Sequence, residues 1–99
     1  MHQQTGHLTL VDYNLFLDGS TEPIKMTPIQ AKILSVLMRY PNQMVSRATI
    51  MQEVWQTDHF GDMRNLGVHI SALRRKIEVD PRHPRIIVTE RKVGYRLRV

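Results

Sequence analysis

The sequence predicts an α+β domain in which a small antiparallel sheet comes first, three helices follow and a β-hairpin ends the chain. Apolar residues alternate at period two near both ends of the chain and recur at helical spacing between them, with Gly, Pro and Asp residues at the junctions. The 99 residues correspond to one domain that is large enough to bury a core. The content of 41% hydrophobic and 23% charged residues is typical of a globular chain and excludes general disorder.

The N-terminal segment predicts a flexible arm followed by short strands. Residues 1–6 are polar and are expected to form the arm, so that the folded domain would occupy residues 7–99. Leucines alternate with other residues over 8–17, which predicts two strands, and a third short strand is predicted over 24–26. These strands would form the antiparallel sheet.

Three helices are predicted after this sheet. Thr27 and Gln30 have the spacing of a capping box, with a proline between them at the first helical position, so the first helix should begin at residue 28. Ser46 should open a second helix that ends at Trp55. Asp62 is the candidate cap of a third helix that reaches about residue 79. The buried stripe of this third helix would consist of Leu66, Ile70, Leu73 and Ile77.

The last segment predicts a hairpin with one apolar and one arginine-bearing face. Residues 86–89 form an apolar strand, and residues 95–99 alternate apolar residues with arginine. Gly94 is expected to supply a positive φ in the turn between them. Three helices followed by such a hairpin make a winged helix-turn-helix, in which the third helix is the candidate recognition helix.

Charge is distributed unevenly along the chain. Residues 64–99 carry ten basic and three acidic side chains, whereas residues 1–63 carry four basic and six acidic ones. This asymmetry favours a polyanionic partner, although a solvated basic surface would give the same charge balance. The outward face of the third helix also carries Val68, which either contacts thymine methyl groups or packs on a neighbouring part of the protein.

Other classes of function are excluded or disfavoured by what the sequence contains. The chain has no cysteine, which excludes disulfides, thiolate metal sites and a cysteine nucleophile. None of its five histidines is spaced four residues from another, and its glycines are scattered rather than grouped in a phosphate-binding loop. We therefore expect no enzymatic activity, no cofactor and no metal. We also expect a cytoplasmic location, because no signal peptide or long apolar run is present.

Over residues 8–99 the sequence resembles the DNA-binding effector domain of OmpR/PhoB-type response regulators. The segments that carry this resemblance are LDGSTEPIKMTPIQAKILSVL, PNQMVSRATIMQEVW, RNLGVHISALRRKIEVDP and IIVTERKVGYRL. The resemblance implies a four-stranded N-terminal sheet, a helix-turn-helix and a wing. It also implies transcription control through promoter DNA, with tandem binding to direct repeats. We expect a monomer free in solution, because the strongly apolar faces are those needed for the core, and a tandem dimer that forms on DNA.

The resemblance also assigns roles to individual positions. Arg64, His69 and Trp55 match phosphate-contacting positions, and Val68 with Ala72 match the base-reading face. The segment from Gln56 to Met63 matches a loop that is proposed to contact RNA polymerase. The predicted DNA-binding residues are Trp55, Arg64, Asn65, Val68, His69, Ser71, Ala72, Arg74, Arg75, Thr89, Arg91 and Lys92.

Some positions depart from the family pattern. Ser71 and Ala72 are small where arginine is frequent, and Lys92 occupies the usual glycine of the wing tip. No receiver domain is present in these residues, so the chain is either a piece of a two-component regulator or a stand-alone regulator that needs no phosphorylation. The alternative from a different class is a winged helix that uses its basic face to bind an acidic protein.

Overall fold

The computed structural model describes residues 2–55 and 63–99. Within these residues the chain forms two antiparallel sheets and three helices, which confirms the predicted fold class. The elements are β1 (His2–Thr5), β2 (Leu8–Val11), β3 (Asn14–Leu17), β4 (Ile24–Lys25), α1 (Pro28–Arg39), β5 (Met44–Ser46), α2 (Arg47–Trp55), α3 (Met63–Ile77), β6 (Ile87–Glu90) and β7 (Gly94–Leu97).

The first sheet corrects the prediction of a flexible arm. Its strand order is β1-β2-β3-β4, and β1 lies within residues 1–6, where the arm was expected. Two polar side chains of β1 donate to carbonyl groups of α1, from Gln3 Nε2 to Ser35 O at 3.1 Å and from Thr5 Oγ1 to Met38 O at 2.9 Å. The polar composition of this segment therefore reflects hydrogen bonding to a helix rather than disorder.

Helix α1 begins as the sequence predicts. Thr27 N donates to Gln30 Oε1 at 3.0 Å, and Gln30 N donates to Thr27 Oγ1 at 3.2 Å, which completes the capping box. Lys76 Nζ, near the end of α3, also donates to Gln30 Oε1 at 2.6 Å. The cap of the first helix thus also anchors the end of the third.

The second sheet places β7 between β5 and β6, so the wing is attached to the strand that precedes α2. The prediction that Gly94 supplies a positive φ is wrong, because among the described residues the glycines with positive φ are Gly6 and Gly19. Gly94 is required by close approach instead: an added Cβ would overlap Val45 O and lie 2.8 Å from Ser46 Cα. The positive φ of the wing occurs at Lys92, at 65°.

A single core joins the helices to both sheets. The predicted stripe of α3 is buried, and Leu10, Leu37 and Leu97 are completely inaccessible to solvent. Helix α3 ends at Ile77 rather than at residue 79, and the Val79 side chain is fully exposed.

The carboxylate of Glu78 holds the segment that leads into the wing. Although Glu78 is buried, its Oε1 accepts from Arg85 N at 2.8 Å and from Ile86 N at 3.0 Å. Its Oε2 accepts from Ile86 N at 3.0 Å and from Ile87 N at 2.8 Å. This side chain satisfies three backbone donors, of which the N–H of Ile87 is buried and would otherwise lack a partner. The sequence reasoning missed this role, since a single glutamate after a helix carries no distinctive pattern.

Candidate nucleic-acid interface

The outward face of α3 is accessible and carries several small or apolar side chains. Asn65, Ser71 and Arg75 are exposed, and Ala72 between them is half-buried. Val68 is 64% exposed and is not part of the core formed by the described residues. The opposite face of the helix supplies the core, so this face has a fixed orientation towards solvent.

Trp55 and His69 form one side of this surface. The two rings, at the end of α2 and in α3, have centroids 5.8 Å apart and planes tilted by 43°. Trp55 packs partly against the core and both side chains are half-buried, so each can combine a structural contact with an accessible ring edge.

Arg74 points towards the wing rather than away from the protein. Its Nε and Nη2 donate to Ile87 O at 3.0 Å and 2.8 Å, and Nη2 also donates to Thr89 Oγ1 at 2.7 Å. The guanidinium carbon lies 5.7 Å from the centroid of the buried Tyr95 ring. Burial lowers the pKa of Arg74, while electrostatic interactions with Tyr95 and Glu78 oppose this shift. The predicted role of Arg74 near the DNA backbone does not account for these contacts.

The wing presents three of the predicted residues to solvent. Thr89, Arg91 and Lys92 are all exposed. The acidic side chain of the wing, Glu90, accepts from Arg96 Nε at 2.7 Å, and Arg96 Nη1 also donates to Asn42 O at 2.9 Å.

Three accessible cations on α3 and the wing are left without an ion-pair partner among the described residues. In residues 2–55 and 63–99 the ion pairs of arginine join Arg39 to Glu53 and Arg96 to Glu90. Arg75, Arg91 and Lys92 are exposed and have no carboxylate among the described residues to neutralise them. Such an arrangement attracts a polyanion.

Some predictions fall where the structure gives no description. The Gln56 to Met63 loop lies outside the described residues apart from the start of α3, and so does the candidate cap Asp62. Arg64 lies in the first turn of α3, but its side chain is outside the described part. In the portion that is described, no cluster of side chains could hold a metal ion and no helix is long and apolar enough to cross a membrane.

Comparison with known proteins identifies the family. Residues 21–97 match the family model for the C-terminal part of transcriptional regulatory proteins. The C-terminal domain of the nisin resistance regulator NsrR, a lantibiotic response regulator, is 33% identical, with a TM-score of 0.78 and coverage of 97% of this chain and 96% of that one. The DNA-binding domain of CpxR from E. coli is 25% identical, with a TM-score of 0.78 and coverage of 99% and 96%.

A longer regulator shows the same similarity over part of its length. DrrB of Thermotoga maritima, an OmpR/PhoB homolog, is 26% identical, with a TM-score of 0.81. The match covers 99% of this chain but 44% of DrrB, so the chain spans less than half of that regulator. With this fold, this exposed helix face and these matches, the chain belongs to the OmpR/PhoB-type family of C-terminal domains of transcriptional regulatory proteins.

Proposed function

We propose that this domain binds duplex DNA in a sequence-specific manner, with α3 in the major groove and the wing at the adjacent minor groove. The observation that carries the proposal is the exposed valine on α3, Val68, together with the exposed cations Arg75 on the same helix and Arg91 and Lys92 in the wing. An exposed apolar side chain on a helix, combined with unpaired cations on the helix and the wing, suits a groove that offers thymine methyl groups between two rows of phosphates.

The small residues of α3 determine the kind of readout. Ser71 and Ala72 allow the helix backbone to come close to the base edges, but they offer few hydrogen bonds to them. We therefore expect specificity to rest on methyl contacts at Val68 and on the shape and deformability of the DNA. The wing contributes to the readout of DNA shape, because Arg91 and Lys92 can enter a narrow A·T-rich minor groove.

The proposal extends to the regulatory setting. The similar part of CpxR is its DNA-binding domain, and NsrR is a response regulator. By analogy, this domain would be the effector part of a cytoplasmic two-component regulator that is monomeric when free and binds direct repeats in tandem. The Gln56 to Met63 segment would then be available to RNA polymerase.

Salt dependence and competition together test DNA binding. With about five phosphates neutralised per domain, the slope of log K against log salt should be about −4 to −5. A selected site should bind about 10³-fold or more tightly than random duplex DNA. Fluorescence anisotropy over a salt series, with random DNA as competitor, measures both quantities. A slope near zero, or an acidic protein that competes better than any duplex, would contradict the proposal.

Val68 provides a direct test of the helix orientation. Val68→Ala should reduce discrimination at one T·A step by about 1 kcal/mol. The melting temperature should stay nearly constant, because the side chain is 64% exposed. Val79→Ala is the matched control, since Val79 is a fully exposed valine beyond the end of α3, and it should change neither property. Equal discrimination by the two variants would show that α3 does not read this step.

A further inference from the structure

Arg74 connects the recognition helix to the wing through three short hydrogen bonds. Nε donates to Ile87 O at 3.0 Å, and Nη2 uses its two hydrogens on Ile87 O and Thr89 Oγ1, at 2.8 Å and 2.7 Å. A guanidinium has five N–H donors, and three of them are used here inside the protein. The side chain is also half-buried and lies against Tyr95, which is the register partner of Thr89.

We infer that Arg74 is a positioning residue that fixes the wing against α3 and makes the Thr89 hydroxyl a hydrogen-bond donor to a DNA phosphate. This inference rests on the proposed DNA-binding function and deepens it. It assigns the phosphate contact to a neutral hydroxyl, with the positive charge of Arg74 held behind it.

The chemistry of the hydroxyl supports the donor role. A threonine hydroxyl has one hydrogen and two lone pairs. Because Oγ1 accepts from Arg74, a lone pair is occupied and the hydrogen must point elsewhere. Within the described residues no acceptor for this hydrogen is found, and Thr89 is exposed, as are Arg91 and Lys92 of the same wing. A phosphate oxygen would accept this hydrogen, and the cation behind the hydroxyl would strengthen the bond.

Arg75 differs from Arg74, because Arg74 is hydrogen-bonded inside the protein whereas Arg75 is exposed to solvent. Arg75 is exposed, makes no ion pair in the described residues and is free to neutralise a phosphate. Arg75→Met should therefore reduce the magnitude of the salt slope by about 1. Arg74→Met should weaken binding but reduce the slope less than Arg75→Met does, because the Arg74 charge reaches the phosphate only through the Thr89 hydroxyl. A slope reduced equally by both variants would overturn the inference.

Thr89 supplies a test that does not depend on Arg74. Thr89→Val keeps the shape and removes the hydroxyl, and should weaken binding about tenfold, as expected for a lost hydrogen bond to a charged group. Thr89→Ser keeps the hydroxyl and should bind within about twofold of the unchanged protein. Thermal melting of each variant shows whether folding is preserved. Equal affinity of the valine variant and the unchanged protein would overturn the donor role.

A chemical cycle identifies the acceptor. In a series of duplexes, each carries one neutral methylphosphonate in place of a phosphate, at a different position. Each duplex therefore lacks one anionic oxygen. At one position near the wing, the unchanged protein and Thr89→Val should bind with equal affinity, since the partner of the hydroxyl is then gone. A difference that persists at every position would overturn the inference. Failure of the unchanged protein to bind any duplex would overturn the proposed function instead, so the two failures are distinguishable.

Discussion

Gly94→Ala should destabilise the domain by about 3 kcal/mol, because a backbone clash cannot be relieved by a change of rotamer. The new Cβ would overlap Val45 O and press on Ser46 Cα, which lies 2.8 Å away. Strands β5 and β7 would have to separate, and these strands connect the wing to the start of α2. A denaturant titration should show the lower free energy of unfolding. DNA binding should also weaken, because the wing would no longer be held against β5.

A matched control with the opposite sign is available in α3. Gly67 has no described atom within 4 Å of an added Cβ. Gly67→Ala should therefore stabilise the domain by about 0.5–1 kcal/mol, as expected for glycine replaced by alanine within a helix. If Gly94→Ala proved no less stable than the unchanged domain, the close approach of β5 and β7 would not be a constraint in solution.

Removal of the Glu78 carboxylate is the second change with a large expected effect. Glu78→Ala should cost about 3 kcal/mol, because Arg85, Ile86 and Ile87 would each lose the acceptor of a backbone N–H, and hydrogen bonds to charged groups are stronger than neutral ones. Glu78→Gln should have a stability between that of Glu78→Ala and that of the unchanged domain, because its amide oxygen can still accept while its NH2 would face one of these donors. Urea denaturation measures the free energy of unfolding of both variants.

The exposed Glu22 provides the comparison for this prediction. Glu22→Gln removes the same charge from the surface and should change stability by less than about 0.5 kcal/mol. Hydrogen exchange adds a local measurement, in which the amides of Ile86 and Ile87 should lose protection in Glu78→Ala. Unchanged protection of these two amides would mean that the carboxylate is not their partner in solution.

The fold was predictable where local pattern and tertiary packing agree. The stripe from Leu66 to Ile77 and the capping box at Thr27 are short-range signals, and both are found in the structure. The strand at residues 2–5 was mistaken for an arm, because Gln3 and Thr5 bond to residues more than thirty positions away. Gly94 was predicted for the wrong reason, since a close approach between strands has no local signature in sequence.

The candidate site was predictable in its position but not in its internal contacts. Helical periodicity indicates the outward direction of Val68, and its exposure agrees with that direction. The same periodicity cannot show that Arg74 turns towards the wing while its neighbour Arg75 remains exposed. The difference arises from where Ile87 and Thr89 lie after folding, which depends on the whole hairpin.

The two side chains that meet at Ile87 also affect how the protein behaves at high concentration. β6 is an outer strand of its sheet, and an unpaired outer strand can recruit a strand from another molecule. At Ile87 this is prevented, because the N–H donates to Glu78 and the C=O accepts from Arg74. Two charged side chains thus cap the backbone where a foreign strand would begin to pair. Strand β6 can therefore border an accessible wing without offering the backbone of Ile87 to a strand from another molecule.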